Sequence, residues 1–103
     1  MDVKALSYYV AIADQKSINK AAEILYISQP VLSRTVQALE DELGVQLLIR
    51  TNHGIEMTPV GQSLYYYAHS ILSQFDEIER LKKTYHAVVE TRLLVSTAML
   101  LLQ

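Results

Sequence analysis

The chain has 103 residues, half of them apolar, with nine Lys or Arg against eleven Asp or Glu and no cysteine. That length fits one small domain with an appended element. The missing cysteines exclude disulfides, thiolate metal sites and cysteine nucleophiles. A net charge of −2 is unusual for a nucleic-acid binder, because such domains are generally basic.

Residues 3–13 place Leu6, Tyr9, Val10 and Ala13 three or four apart, which is one face of a helix. Asp14, Gln15 and Lys16 break it, and Ser17 stands where an N-cap belongs. A second helix over residues 18–25 buries Ile18, Ala21, Ala22 and Leu25, and its paired alanines let a neighbouring helix come close. After a short connection at Tyr26 and Ile27, Ser28 caps a third helix with Pro30 in its first turn. That helix runs to about Leu43, burying Leu32, Val36, Leu39 and Leu43, and Gly44 supplies the left-handed residue that ends it. In VQLLIRTNHGIEMT, Asn-His-Gly lies between two short strand-like runs and predicts a hairpin.

Thr58 and Pro59 open a fourth helix, expected over residues 59–90. Its apolar positions are Val60, Leu64, Tyr67, Ile71, Phe75, Ile78, Leu81, Tyr85 and Val88, a near-heptad seam with one slip at Phe75. Three short helices offer too little surface to bury such a stripe. Either a second copy covers it, which makes Val60 to Tyr85 of this series a dimer interface, or the helix folds back across its own domain. Residues 92–97 have strand character, and residues 91–103 are expected to begin a further domain.

The third helix carries the most specific signal. On a wheel of about 100° per residue, Pro30, Ser33, Arg34 and Gln37 lie opposite the buried stripe, with Gln29 at the margin. The face is narrow and rich in hydrogen-bonding groups. It suits the major groove, where Arg reads guanine and Gln reads adenine through paired hydrogen bonds; the alternative is a plain solvated face. Two helices joined by a turn of about three residues match the helix-turn-helix arrangement. The hairpin then reads as a wing, with Arg50, Thr51, Asn52 and His53 near phosphate or the minor groove.

These residues also resemble the LysR-type transcriptional regulators. The resemblance rests on LSYYVAIAD, on SINKAAEILYISQPVLSRTVQALEDELGVQLLIRT and on GIEMTPVGQSL, and it covers roughly residues 1–97. It implies a mainly α chain: a winged helix-turn-helix of three helices plus a two-stranded wing over residues 1–58, then a long dimerisation helix over residues 59–90. It further implies a dimer, or a higher oligomer, that binds double-stranded DNA and regulates transcription. Carried over by position, Gln29, Pro30, Ser33 and Arg34 face bases. Ser17, Asn19, Lys20, Ser28, Gln37, Arg50, Thr51, Asn52 and His53 approach phosphates or form the wing contact. Ile18 stands where Phe is commoner, and His53 where the family often carries Arg, which weakens a minor-groove clamp. Family members continue into an effector-binding domain, so no small-molecule effector is assignable to these 103 residues.

Residues 1–58 carry five cations against seven anions, with the acids gathered at Glu40, Asp41 and Glu42. That cluster opposes the helix dipole and reads as a solvated face. Acidic balance also keeps a second class open: a helical dimerisation or protein-interaction module whose DNA binding is weak or lost. His53, His69 and His86 are too scattered for a metal site, and Ser63, Ser70 and Ser73 have no base in pattern. No enzyme activity, metal or cofactor is expected. Tyr65, Tyr66 and Tyr67 are read as padding for the seam and its junction with the wing, and Glu79–Lys83 as an i,i+4 ion pair. The opening MDVKALSYYVAIAD is too interrupted for a signal peptide, and LLVSTAMLLL is too short to span a bilayer. A cytoplasmic protein with no membrane partner is therefore expected.

Overall fold

A computed structural model describes residues 1–102. Four helices and one hairpin follow in the order α1 (Val3–Gln15), α2 (Ile18–Leu25), α3 (Gln29–Leu43), β1 (Leu48–Thr51), β2 (Gly54–Met57) and α4 (Pro59–Leu101). The chain divides into two compact units, residues 1–72 and residues 73–103.

Each helix of the first unit starts where a short polar side chain accepts from its first turn. The Asp2 carboxylate accepts from Ala5 N at 2.8 Å, Ser17 Oγ from Lys20 N at 3.2 Å, Ser28 Oγ from Val31 N at 3.4 Å and Thr58 Oγ1 from Gly61 N at 3.0 Å. Such caps satisfy donors that the helix itself cannot pair. Three of the helices stop on a left-handed residue: Lys16, Tyr26 and Gly44.

The core of this unit gathers Tyr9, Ile12, Ala21, Ala22, Leu32, Val36, Leu39, Leu47, Leu48 and Ile55. Ala21 and Ala22 bring α2 close enough to α1 and α3 for one shared interior, as expected of small side chains at a crossing. Leu43 departs from its expected place. It is exposed, because it occupies the last helical position before Gly44 and no element covers it. A second cluster, Leu6, Val10 and Ala68 with Leu64, Tyr65 and Leu72 against it, seats the first turns of α4 on α1. Leu64, assigned above to a dimer interface, therefore packs within its own subunit.

The hairpin pairs Leu48 with Met57, Ile49 with Glu56, Arg50 with Ile55 and Thr51 with Gly54. Directly opposed residues share a face, so Leu48, Arg50, Ile55 and Met57 line the inner side. Thr51 Oγ1 closes the turn by donating to the Gly54 carbonyl and accepting from His53 N. Gly54 has φ 107°, and a Cβ there would stand 2.6 Å from the Lys16 carbonyl oxygen. That carbonyl accepts from Ile55 N at 3.0 Å, which pins the wing to the end of α1.

In the second unit, residues 73–101 are helical throughout. The strand expected at residues 92–97 is absent, and the helix expected to stop near residue 90 continues to Leu101; Gln103 lies outside the described residues. After Gly61 the sequence contains neither Gly nor Pro, and Leu, Ala, Met and Arg are good helix formers. The β-branched residues cost only tenths of a kcal/mol each, as an order of magnitude. Thr91 and Thr97 send their hydroxyls back to the carbonyls of Ala87 and Leu93, at 2.9 and 3.0 Å. The expected Glu79–Lys83 pair is replaced by Arg80–Glu77 at 2.8 Å. Phe75, Ile78, Leu81, Tyr85 and Val88 are all exposed.

Candidate nucleic-acid interface

The start of α2, the start of α3 and the turn end of the wing meet around a polar concavity of about 540 Å³, lined by Lys16, Ser17, Ile18, Asn19, Gln29, Arg50, Thr51, Gly54 and Ile55. Residues separated by up to 39 positions thus share one surface. Each is held by its own element. Ser17 and Asn19 sit at the first turn of α2, and Gln29 opens α3. Arg50 extends from the inner face of β1, beside the buried Ile55.

Along α3 the polar side chains are already ordered. Gln29 Nε2 donates to Ser33 Oγ at 2.9 Å, and Arg34 Nε donates to the Pro30 carbonyl at 3.3 Å. Arg34 is exposed, as are Pro30 and Gln37. Gln37 Nε2 donates to Asp41 Oδ1 at 2.9 Å, so its amide is held toward the acidic end of the helix. Ser28, Lys20, Asn52 and His53 are exposed, the last two at the wing tip.

Two helix N-termini open onto this side. First-turn N–H groups and the helix dipole favour anions there. Arg34, Arg50, Lys16 and Lys20 supply the formal positive charge. Asp14 lies apart from the concavity, its carboxylate accepting from the Tyr65 hydroxyl at 2.6 Å. That bond raises the Tyr65 pKa above its ordinary value, with burial adding to it. Tyr65 thus ties α4 to the end of α1, while Tyr66 and Tyr67 are exposed.

The acidic cluster is built into the fold rather than simply solvated. Glu40 Oε2 accepts from Leu47 N at 2.7 Å and Leu48 N at 3.4 Å. Asp41 holds Gln37, and Glu42 pairs with the Met1 ammonium at 2.8 Å. The Glu42 hydrogen bond raises the pKa of that ammonium. Sequence reasoning gave Lys16 and Glu40 no part in the site, Glu40 being read as one of a solvated acidic run. Lys16 was read as a helix breaker, and its one visible signal is its place immediately before the Ser17 cap.

Among the described residues there is no group of three or more His, Cys, Asp or Glu that could hold a metal ion. No helix among them is long and apolar enough to cross a membrane.

Three helices, a tight turn before the third and a two-stranded hairpin at its side define a winged helix-turn-helix, continued by a long helix. Residues 3–62 match the family described as bacterial regulatory helix-turn-helix protein, lysR family, and the chain belongs to that family. It is 42% identical over 91 residues to the HTH-type transcriptional regulator BenM of Acinetobacter baylyi, covering 88% of this chain and 30% of that protein. It is 46% identical over 79 residues to the nitrogen assimilation regulatory protein nac of Escherichia coli, covering 77% of this chain and 26% of that protein. The chain thus spans less than a third of the length of these relatives. Among solved structures, the BenM DNA-binding domain in complex with catB site 1 DNA superposes with a TM-score of 0.76 at 43% identity, over 81% of this chain and 93% of that one. A complex of the CbnR DNA-binding domain with DNA superposes with a TM-score of 0.73 at 36% identity, over 82% and 97%.

Proposed function

We propose that the chain binds double-stranded DNA with sequence preference, as a dimer, and regulates transcription in the bacterial cytoplasm. The observation that carries the reading is the convergence of Ser17, Asn19, Gln29, Arg50 and Thr51 on one polar concavity, beside the exposed Arg34. Helix α3 enters the major groove with its first turns. Arg34, Gln29 and Ser33 meet base edges, and Pro30 sets the close approach of the backbone. Ser17, Asn19, Lys20, Ser28 and Gln37 hold phosphates, while Arg50, Thr51, Asn52 and His53 carry the wing contact. Phosphate contacts set position and base contacts set sequence.

Residues 59–90 serve as the dimerisation helix, through Val60, Tyr67, Ile71, Phe75, Ile78, Leu81 and Tyr85, with Leu64 supporting it from inside the subunit. A two-fold dimer calls for an interrupted inverted repeat. Similarity to DNA complexes of BenM and CbnR supports the reading, since both are 36% or more identical to this chain.

Selection of bound duplexes from a random pool tests it. The selected sites share an inverted repeat, and Arg34→Ala loses preference at one position per half-site, by about 1–3 kcal/mol. A folded chain that retains no duplex at low salt overturns the proposal. If that chain is still dimeric, it is a helical interaction module instead, built on the exposed apolar residues of α4.

A further inference from the structure

The two parts of the proposed interface, α3 and the wing, are separate elements whose relative placement decides whether both reach one duplex. The link between them is short. Residues 45–47 leave α3 after Gly44 and enter β1 at Leu48. Glu40 acts on this link twice. Its main-chain carbonyl accepts from Gly44 N at 2.8 Å and Val45 N at 3.2 Å, ending the helix. Its side chain then accepts from Leu47 N and Leu48 N at the entry to the wing. The 2.7 Å bond from Leu47 N to a carboxylate is charge-assisted, roughly twice as strong as a neutral one, and the 3.4 Å contact from Leu48 N is the weaker partner.

Leu47 is the point where the elements join. It is fully buried, its N–H is held by Glu40, and its carbonyl accepts from Thr58 N at 3.0 Å. The far strand of the wing and the start of α4 are thereby tied to the same peptide that Glu40 ties to α3. Thr58 Oγ1 donates to the Gln46 carbonyl at 2.7 Å, which fixes the link from its other side. Without the carboxylate, the N–H groups of Leu47 and Leu48 lose the acceptor that α3 supplies.

From this we infer that Glu40 is a positioning residue for DNA recognition: it sets the wing against α3 so that Arg50 and Arg34 engage one duplex together. The inference rests on the proposed DNA binding and adds to it a residue that touches no DNA. Glu40 lies more than one helical turn beyond Arg34, at the end of α3 away from the concavity.

A double-mutant cycle on the full 103-residue chain tests it, with Glu40→Ala, Arg50→Ala and both together, each measured on a selected duplex across a salt series. Urea melts confirm that every variant is folded under binding conditions. Glu40→Ala is expected to weaken binding about tenfold and to lower the salt slope by roughly one contact per subunit. Arg50→Ala, costing several-fold in the parent, then costs less than about twofold in the Glu40→Ala background, because coupled residues are not additive. Glu40→Gln keeps one acceptor oxygen and restores most of the affinity. Amide exchange at Leu47 and Leu48 speeds up in Glu40→Ala and less in Glu40→Gln. If Glu40→Ala does not fold, the same cycle and the exchange rates in Glu40→Gln decide, with smaller effects of the same sign. Additive losses with an unchanged salt slope overturn the inference and leave Glu40 a stabilising residue only. A parent chain that holds no duplex overturns the DNA-binding reading first, and this one with it.

Discussion

The phenol of Tyr9 donates a 2.7 Å hydrogen bond to the carbonyl of Gly61, joining α1 to the first turn of α4 across 52 positions of sequence. Tyr9 is completely buried, so the bond is made in a low-dielectric interior where an unpaired partner is costly. Burial, with a smaller contribution from the charge on Glu40, pushes the Tyr9 pKa up to about 12. The neutral phenol is therefore the species that the fold holds. An unfolded Tyr titrates near 10, so this contribution to stability is complete below about pH 10 and is lost as pH rises toward 12. The expected slope is roughly 1.4 kcal/mol per pH unit over that window. Other tyrosines and lysines titrate there too, so the measurement is a difference. In urea melts Tyr9→Phe is less stable than the parent by about 1 kcal/mol near neutral pH, and the gap closes above pH 10. A gap that stays constant to pH 12 would show that the phenol titrates as if exposed.

Gly61 is fitted to the same junction. A Cβ there would collide with the Leu47 carbonyl oxygen and stand 2.8 Å from the Tyr9 hydroxyl. Alanine normally stabilises a helix relative to glycine by about 1 kcal/mol. At this position that gain is outweighed, because the obstruction is backbone and cannot swing aside. Gly61→Ala is expected to lower stability by about 1–3 kcal/mol, the usual range for overpacking. Thermal melts check it, and a higher melting temperature would mean that α4 can retreat from Leu47 without loss.

The elements of the first unit were legible in the sequence for physical reasons that can be named. Ser17, Ser28 and Thr58 announce helix starts because they are short acceptors in front of periodic apolar residues, and all three cap as expected. Gly44 and the Asn-His-Gly turn were readable because few other residues serve there. What was not legible depends on tertiary contact. What the Glu40 carboxylate holds is not visible in the acidic run Glu40-Asp41-Glu42, because its partners come from the chain returning at Leu47. Leu64 has seam spacing yet packs on Leu6 and Val10, since periodicity cannot tell one apolar partner from another. Of the residues around the concavity, Gln29 was placed by the helix wheel, Arg50 and Thr51 by the hairpin, and Ser17 and Asn19 by family resemblance. Their meeting at one place follows from the fold.

Charge bounds the electrostatic part of binding. Lys20, Arg34 and Arg50 are exposed cations on or beside the concavity, with Lys16 at its edge. With about three phosphates neutralised per subunit and roughly 0.9 counterions released for each, a dimer gives a slope of log affinity against log salt near −5. That is shallow for a regulator, as the net charge of −2 leads one to expect. Titration between about 50 and 200 mM salt measures it. A slope near −10 would require cations outside this surface.

The second unit makes its own prediction about assembly. Phe75, Ile78, Leu81 and Tyr85 lie 48–68% exposed at steps of three or four, more apolar surface than a solitary helix leaves to water. Leu81→Glu places a charge in this exposed row. Light scattering should report a dimer for the parent and a monomer for the variant. The melting of the first unit should change by no more than about 0.5 kcal/mol, as for a surface substitution. Avidity then predicts a loss of duplex affinity of about a hundredfold or more, because two linked half-site contacts become one. A variant that stays dimeric would move the interface elsewhere.

Residues 91–101 decide between local preference and the strand character that the alternating Leu-Val-Ser-Thr pattern suggested. The helix holds here because no residue breaks it and both threonine hydroxyls are satisfied by carbonyls of the preceding turn. Val95→Pro removes one helical N–H and places a ring against the preceding turn, at a cost of about 3 kcal/mol in a helix interior. Backbone carbon shifts should be helical from residue 92 to residue 101 in the parent. In Val95→Pro they should collapse around the substitution, while the shifts of α1, α2 and α3 stay unchanged. Extended shifts in the parent would mean that β-branched Val95 and Thr97 prevail over their neighbours, and that α4 ends near residue 90.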